Sequence, residues 1–225
     1  MRMKLNAILL LILSILLSCG AGCTDSGCTD CGKFALLAKS STLGLGGEFT
    51  AAVVPKVNAR VGINTFSYDY DGELEDVDYE LGFDFFSVTG LVDWYIFDGS
   101  FRLSGGVLSM DHKVNLDAVP TEEQEIGGTT YTPAQIGTLS GCIEIDQIAP
   151  YVGIGWGNPL THSRRWGFTC DFGVAFISTP DVSLSATGPV ASLAGDLAKE
   201  TAEIEDELDP FKFYPVIAVS FFYRF

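Results

Sequence analysis

The run Trp166-Gly-Phe-Thr-Cys-Asp-Phe-Gly-Val-Ala-Phe176 is the most informative stretch of this chain. Trp166, Phe168, Cys170, Phe172, Val174 and Phe176 fall on one side of it. Gly167, Thr169, Asp171, Gly173 and Ala175 fall on the other. A side-chain period of two is the mark of a strand. A strand of a soluble sandwich turns a polar face to water and an apolar face to the core. Here the second face is small residues, two of them Gly, with one charge among them. Such a face suits the inside of a narrow barrel, where small residues leave room for larger polar ones, with the apolar face turned to lipid.

The pattern recurs on both sides of this run. Leu43, Leu45, Phe49, Ala51 and Val53 oppose Gly44, Gly46, Glu48 and Thr50, and Val57, Ala59, Val61 and Ile63 oppose Asn58, Arg60, Gly62 and Asn64. After residue 22 no apolar run is long enough for a helix to cross a bilayer. The remaining way to span one is a closed barrel, in which every backbone group finds a partner. Strands are predicted at 42–53, 57–70, 79–97, 100–116, 139–156, 166–184 and 211–225. Bacterial single-chain barrels have even strand numbers, so an eighth is required. Phe34 to Lys39 is the best candidate, although no loop separates it from Thr42. Short connections near Pro55, at Asp98-Gly99 and over Asn158 to Arg165 alternate with long acidic ones over Asp71–Asp78, Asp117–Thr138 and Ser185–Pro210. That alternation places the short turns in the periplasm and the long loops outside. Within the last loop, Val190, Leu193, Leu197, Thr201, Ile204 and Leu208 recur at helical spacing behind Pro189. They predict an amphipathic helix over about 190–208, with packing as a cap the expected placement and entry into the barrel or a position on the membrane surface the alternatives.

The first 22 residues read as a secretory signal. Arg2 and Lys4 precede an apolar run from Ala7, and small residues follow at 18–22. The organisation expected is a signal over 1–22, a Cys-rich segment over 23–40 and a barrel over 41–225. Leu16-Leu17-Ser18-Cys19 resembles a lipoprotein processing site, and a plain cut near Gly20 to Gly22 is the alternative. Of the six cysteines, Cys19, Cys23, Cys28 and Cys31 crowd together. In an exported chain they read as local disulfides rather than a zinc site. A turn centred between Thr161 and His162 would set Cys170 opposite a residue near Gly153 and away from Cys142. The formal net charge is -16, with 13 basic against 29 acidic residues. That balance excludes a phosphate-binding surface, and nucleic acid with it.

The chain ends Val219-Ser-Phe-Phe-Tyr-Arg-Phe225. Ile217, Val219, Phe221, Tyr223 and Phe225 form an outward apolar ladder up to the terminal aromatic. This resembles the C-terminal signature of outer-membrane barrels that the barrel assembly machinery reads. Leu43-Gly-Leu-Gly-Gly-Glu48 and Tyr151-Val-Gly-Ile-Gly-Trp156 are similar to strands of small barrels of the OmpA transmembrane-domain, OmpX and OmpW type. The resemblance implies an all-β, closed antiparallel transmembrane barrel of eight strands in a bacterial outer membrane. Its implied partners are outer-membrane lipid, lipopolysaccharide and the assembly machinery.

Glu48, Arg60, Asp93, Arg102, Asp171, Lys212 and Arg224 fall on the small-residue faces, so they are candidate lumen charges. The turn near Pro55 would bring Glu48 opposite Arg60, and the one at Asp98-Gly99 would bring Asp93 close to Arg102. Cross-strand opposite charges stabilise a sheet, and charges in a small lumen must pair. The expectation is an ion-paired plug, and the alternative is the lining of a narrow channel for small solutes. In the loop with Asp69, Asp71, Glu73, Glu75, Asp76 and Asp78, the spacing Ser67-x-Asp69-x-Asp71-Gly72 partly mimics a calcium loop. A merely solvated loop is the expected reading of those acids, with divalent cations shared loosely with lipopolysaccharide as the alternative ahead of a true calcium site. His112 and His162 would lie at opposite ends of the barrel. Ser109 and Asp111 beside His112 form no catalytic motif, so no enzyme and no cofactor is expected. The function expected is an integral outer-membrane barrel of structural or surface-interacting type. A porin-like channel is the alternative, and a lipid-modifying enzyme is a third reading.

Overall fold

Antiparallel pairing runs without a gap through β1 (Phe34–Ser41), β2 (Gly44–Val54), β3 (Val57–Leu74), β4 (Val77–Trp94), β5 (Phe101–Ala118), β8 (Leu139–Trp156), β9 (Trp166–Phe176) and β11 (Phe213–Arg224). It closes where β11 pairs with β1. These eight strands are the staves of a barrel. The computed structural model describes residues 34–74, 77–97, 99–160, 165–208 and 212–225. The predicted signal peptide, Cys19 and the other N-terminal cysteines, Asp98 and the turn at His162 lie outside the described residues.

The eighth strand is β1. It pairs with β2 from Phe34↔Ala51 to Ser41↔Gly44, so a two-residue turn, Thr42-Leu43, joins the pair. Gly44 takes φ 107°, and a Cβ there would lie 2.6 Å from the Thr65 carbonyl oxygen. The close approach of β3 therefore requires glycine. The barrel begins at Phe34, not at 41, and β2 begins at Gly44 rather than at 42. Two of the four outer connections are accordingly as tight as the tightest inner one, this turn and the β3–β4 junction, where Leu74 pairs with Val77, so the predicted long loop Asp71–Asp78 is largely strand and the expected alternation of long and short loops is corrected.

Facing residues differ sharply in chemistry. On β11, Phe213, Pro215, Ile217, Val219, Phe221 and Tyr223 are exposed, while Val216, Ala218, Ser220 and Phe222 are buried. About ten strand steps of ~3.3 Å, tilted by ~40°, raise this apolar band to ~25 Å, the height of a bilayer core. Trp94, Trp156 and Trp166 project outward at the end that carries the short turns. At the other end the outward face turns acidic at Asp111 and Asp146, which pair directly across β5 and β8, and at Asp84 of β4, which lies diagonal to Asp111 and directly opposite Lys113. Beyond those acids β3, β4, β5 and β8 continue for another ~20 Å. The barrel is therefore lopsided. A tall sheet rises on one side, and the β1–β2 turn ends low on the other.

The predicted strand 166–184 is interrupted. β9 pairs with the inner half of β8, and β10 (Asp181–Ala186) with its outer end, one residue out of register. Pro180 has no N–H to give to a ladder. Across the gap the Gln147 side chain accepts from the Ser178 N–H at 2.9 Å and donates back to the Ser178 carbonyl at 3.5 Å. On the outer side, β6 (Gln124–Ile126), β7 (Thr129–Tyr131), a short helix α1 (Pro133–Ile136) and α2 (Leu193–Leu208) complete the chain. Ile126, Tyr131, Ile136, Leu193 and Leu197 form a small core against Leu139 and Leu184. Leu139 and Leu184 belong to the inner face of the tall sheet, so the expected helix is a cap.

Candidate functional site: the barrel interior

The lumen is filled in layers. Towards the inner end Ala35, Leu37, Leu160 and Phe222 form an apolar floor. Towards the outer end Leu43, Leu91, Leu108, Met110, Tyr151, Ile177 and Val216 form a thicker apolar layer. Between them lie Lys39, Arg60 and Arg102 with Glu48, Asp93 and Asp171, all at least nine-tenths buried. Three cations meet three carboxylates, so the layer is neutral.

Arg60 is its hub. Its guanidinium lies 3.1 Å from Glu48, 2.7 Å from Asp93 and 3.2 Å from Asp171, and it donates to Ser104 Oγ at 3.2 Å. Arg102 Nη2 donates to both oxygens of Asp171 at 2.8 and 2.9 Å, and Nη1 donates to the Gly157 carbonyl. Lys39 stands 3.5 Å from Glu48. The small residues are functional here. A Cβ on Gly155 would sit 2.8 Å from Asp171 Oδ1 and 2.9 Å from Arg102 Nε, so only glycine leaves room for that pair.

The predicted lumen residues are brought together with one correction of register. The hairpin turns at Pro55-Lys56, and an irregularity between Ala52 and Val54 sets Thr50, not Glu48, opposite Arg60. Glu48 reaches Arg60 diagonally. Asp93 comes close to Arg102 as expected: it faces Ser104, and Arg102 Nε approaches its Oδ2 diagonally at 3.6 Å. Diagonal partners are within reach of a long side chain. Arg224 shares the inward register of β11 but stands at the inner rim, opposite Ala35 and outside the cluster. Lys212 is exposed at the outer end. Lys39 and Ser104 complete the cluster without having been singled out by sequence. The signal for Lys39 lay in β1, where both faces are apolar up to that residue.

Other candidates disperse. Ser67, Asp69 and Asp71 lie on extended β3, about 6.6 Å apart along one face, so they do not curl round one ion as a calcium loop does. Among the described residues no cluster of His, Cys, Asp or Glu is placed to hold a metal. His112 points inward, stacked on Phe85 at 4.6 Å and edge-on to Tyr214. Ser109 and Asp111 have the opposite parity on β5 and face outward. Cys142 and Cys170 are both free. Cys170 pairs with Trp156 rather than a residue near Gly153, and it shares the outward parity of Trp166, Phe168 and Phe172.

No family model matches the chain, and no curated protein is similar to it. Solved structures are. CarO of Acinetobacter baumannii superposes with a TM-score of 0.59 at 19% identity, over 85% of this chain and 97% of its own. CarO2 of the same organism gives 0.61 at 20%, over 86% and 98%. The fold is that of a small outer-membrane β-barrel. At this identity the likeness carries architecture, and the layered interior is read from this chain's own residues.

Proposed function

We propose that this barrel is sealed and that its work is done at the cell surface. The observation that supports this most directly is the contact between Arg60 on β3 and Asp171 on β9, two staves diametrically opposed in the ring. An ion pair across the full diameter, between two apolar layers, leaves no continuous water path. The space beside it, lined by Lys39, Leu43, Arg60, Thr89 and Tyr151, amounts to about 10 Å³. That is room for about one water molecule. Hydrated ions and solutes need far more. The tall acidic sheet and its cap, which stand outside the bilayer, are then the working parts. Their environment is lipopolysaccharide with its divalent cations, and other molecules at the surface. His112 faces away from Ser109 and Asp111, which argues against acyl-transfer chemistry at that position.

Conductance tests this. The purified full chain, reconstituted into a planar bilayer in concentrated potassium chloride, is expected to give no discrete current steps. Steps of reproducible size, abolished by heat denaturation before reconstitution, would overturn the sealed reading in favour of a narrow channel.

A further inference from the structure

The tall sheet has an unpaired edge. β2 accompanies β3 only as far as Leu45↔Thr65. From Phe66 to Leu74, β3 pairs with β4 on one side, and no described residue pairs with it on the other. In an antiparallel ladder alternate residues point their N–H and C=O groups to alternate sides. Every second residue of this stretch therefore offers both groups to the outside. Natural sheets blunt such edges with bulges, prolines, lysines or a covering element. From Phe66 to Gly72 there is no Pro and no Lys. The pairing with β4 is regular throughout, and the cap lies across the sheet on β10 and β6.

The two faces flanking this edge differ. On the inner face Phe66, Tyr68 and Tyr70 are exposed, Tyr68 by 53%, beside the half-buried Leu81, Phe83 and Phe85 of β4. On the outer face stand the exposed carboxylates of Asp69, Asp71, Glu80 and Asp84. Residues 67–71 and 80–84 hold no basic side chain, and Lys113 of β5, which faces Asp84, is engaged by Glu144 at 3.0 Å.

We propose that this edge of β3 receives an extended polypeptide from another protein as an added strand, one that alternates apolar with Lys or Arg side chains. Backbone groups of the guest would complete the ladder. Its apolar side chains would lie on Phe66, Tyr68 and Tyr70, and its cations would face Asp69, Asp71, Glu80 and Asp84. Charge selects the occupant. A second copy of this chain pairing edge to edge would bring carboxylates against carboxylates. The chain's own N-terminal segment leaves the barrel at Phe34, beside Phe225 at the opposite end. The proposal rests on the sidedness of the surface reading but not on the sealed lumen, so current through the barrel would leave it standing.

The full chain in detergent micelles is titrated against a fluorescent peptide of alternating Lys and Val. Two controls accompany it: the same peptide N-methylated at alternate residues on its docking side, and one with Glu for Lys. The first peptide is expected to bind about tenfold or more tightly than either control. Tyr68→Ser with Tyr70→Ser, and separately Asp69→Lys with Asp71→Lys, should each remove that preference. All four positions are exposed, and retained heat-modifiable gel mobility would show the barrel intact. Equal binding of the N-methylated peptide would reduce the effect to charge attraction and overturn strand addition. So would variants that bind as the parent does. Self-association of the unliganded chain that the peptide disperses would assign the edge to a second copy and overturn the proposal.

Discussion

Arg60 and Asp171 stand four staves apart whichever way the ring is followed, yet they share two N–H···O contacts, at 3.2 and 3.4 Å. Few contacts in a barrel carry so much information about its diameter. Arg60 also holds Glu48 and Asp93, so its removal leaves three carboxylates facing Lys39 and Arg102.

Removing one partner of a buried ion pair costs ~3–5 kcal/mol, because the survivor stays desolvated and uncompensated. Arg60→Met and Asp171→Asn should each destabilise the barrel on that scale. The double variant should cost clearly less than their sum, since neither orphan remains. Urea unfolding in detergent or lipid gives the coupling directly. Additive effects, each below ~1 kcal/mol, would mean the two groups are solvated and apart.

Register can be tested with single cysteines. Cys170 faces Trp156 directly, so Trp156→Cys should bring two thiols within disulfide range. Gly153→Cys, three positions along, should not, because it lies beyond the ~7 Å limit between α-carbons. Mild oxidation and mobility on non-reducing gels after protease cleavage read the result. A bond from Gly153→Cys and none from Trp156→Cys would restore the register read from sequence.

In the cap, Asp196 accepts from Lys199 Nζ at 2.7 Å and from Tyr131 Oη at 2.6 Å. These hydrogen bonds, that of Lys199 foremost, hold its carboxyl down to about 2. A depressed carboxyl contributes stability that is present above its unfolded value of ~3.9 and disappears as pH falls through the folded one. Hydrogen exchange over Leu193–Leu208 should therefore be constant above about pH 4, once corrected for intrinsic rates, and should quicken below it. Asp196→Asn should abolish that step. An unchanged step in the variant would assign the transition to another group.

The outward ladder Ile217, Val219, Phe221, Tyr223 ends on Phe225, which is 71% exposed. Its likeness to the signature read by the barrel assembly machinery predicts that deleting Phe225 lowers insertion and leaves chain in the periplasm. Cell fractionation checks this, and normal surface assembly of the shortened chain would remove the assembly role.

Seven staves were legible because each sets apolar residues against Gly, Thr or charge. β1 was found at Phe34–Lys39 only through the requirement for an even strand count, not through its own alternation, for a physical reason. Its outward Phe34, Leu36 and Ala38 face lipid while its inward Ala35 and Leu37 build the apolar floor, so alternation vanishes where both environments are apolar. The charged layer was legible residue by residue, since a charge on a small-residue face has nowhere to go but the lumen. Its exact partners were not. A bulge beside Pro55 shifts Glu48 from opposite Arg60 to diagonal, and strand curvature carries Arg60 to Asp171, which no linear pattern encodes. The break at Ile177–Pro180 was announced by Pro180 but hidden by the apolar run on either side of it.

The low turn at Thr42-Leu43 gives the molecule a front and a back in the plane of the membrane. On the surface reading proposed above, the wall on that side would end close to the head groups, where the sugar layer of neighbouring lipids would close over it. On the other side β3, β4, β5 and β8 stand clear like a parapet. An antibody or phage approaching a living cell would then meet one flank only. Surface epitopes should map to the acidic parapet and the cap, and a tag inserted between Thr42 and Leu43 should stay hidden until the sugar chains are shortened.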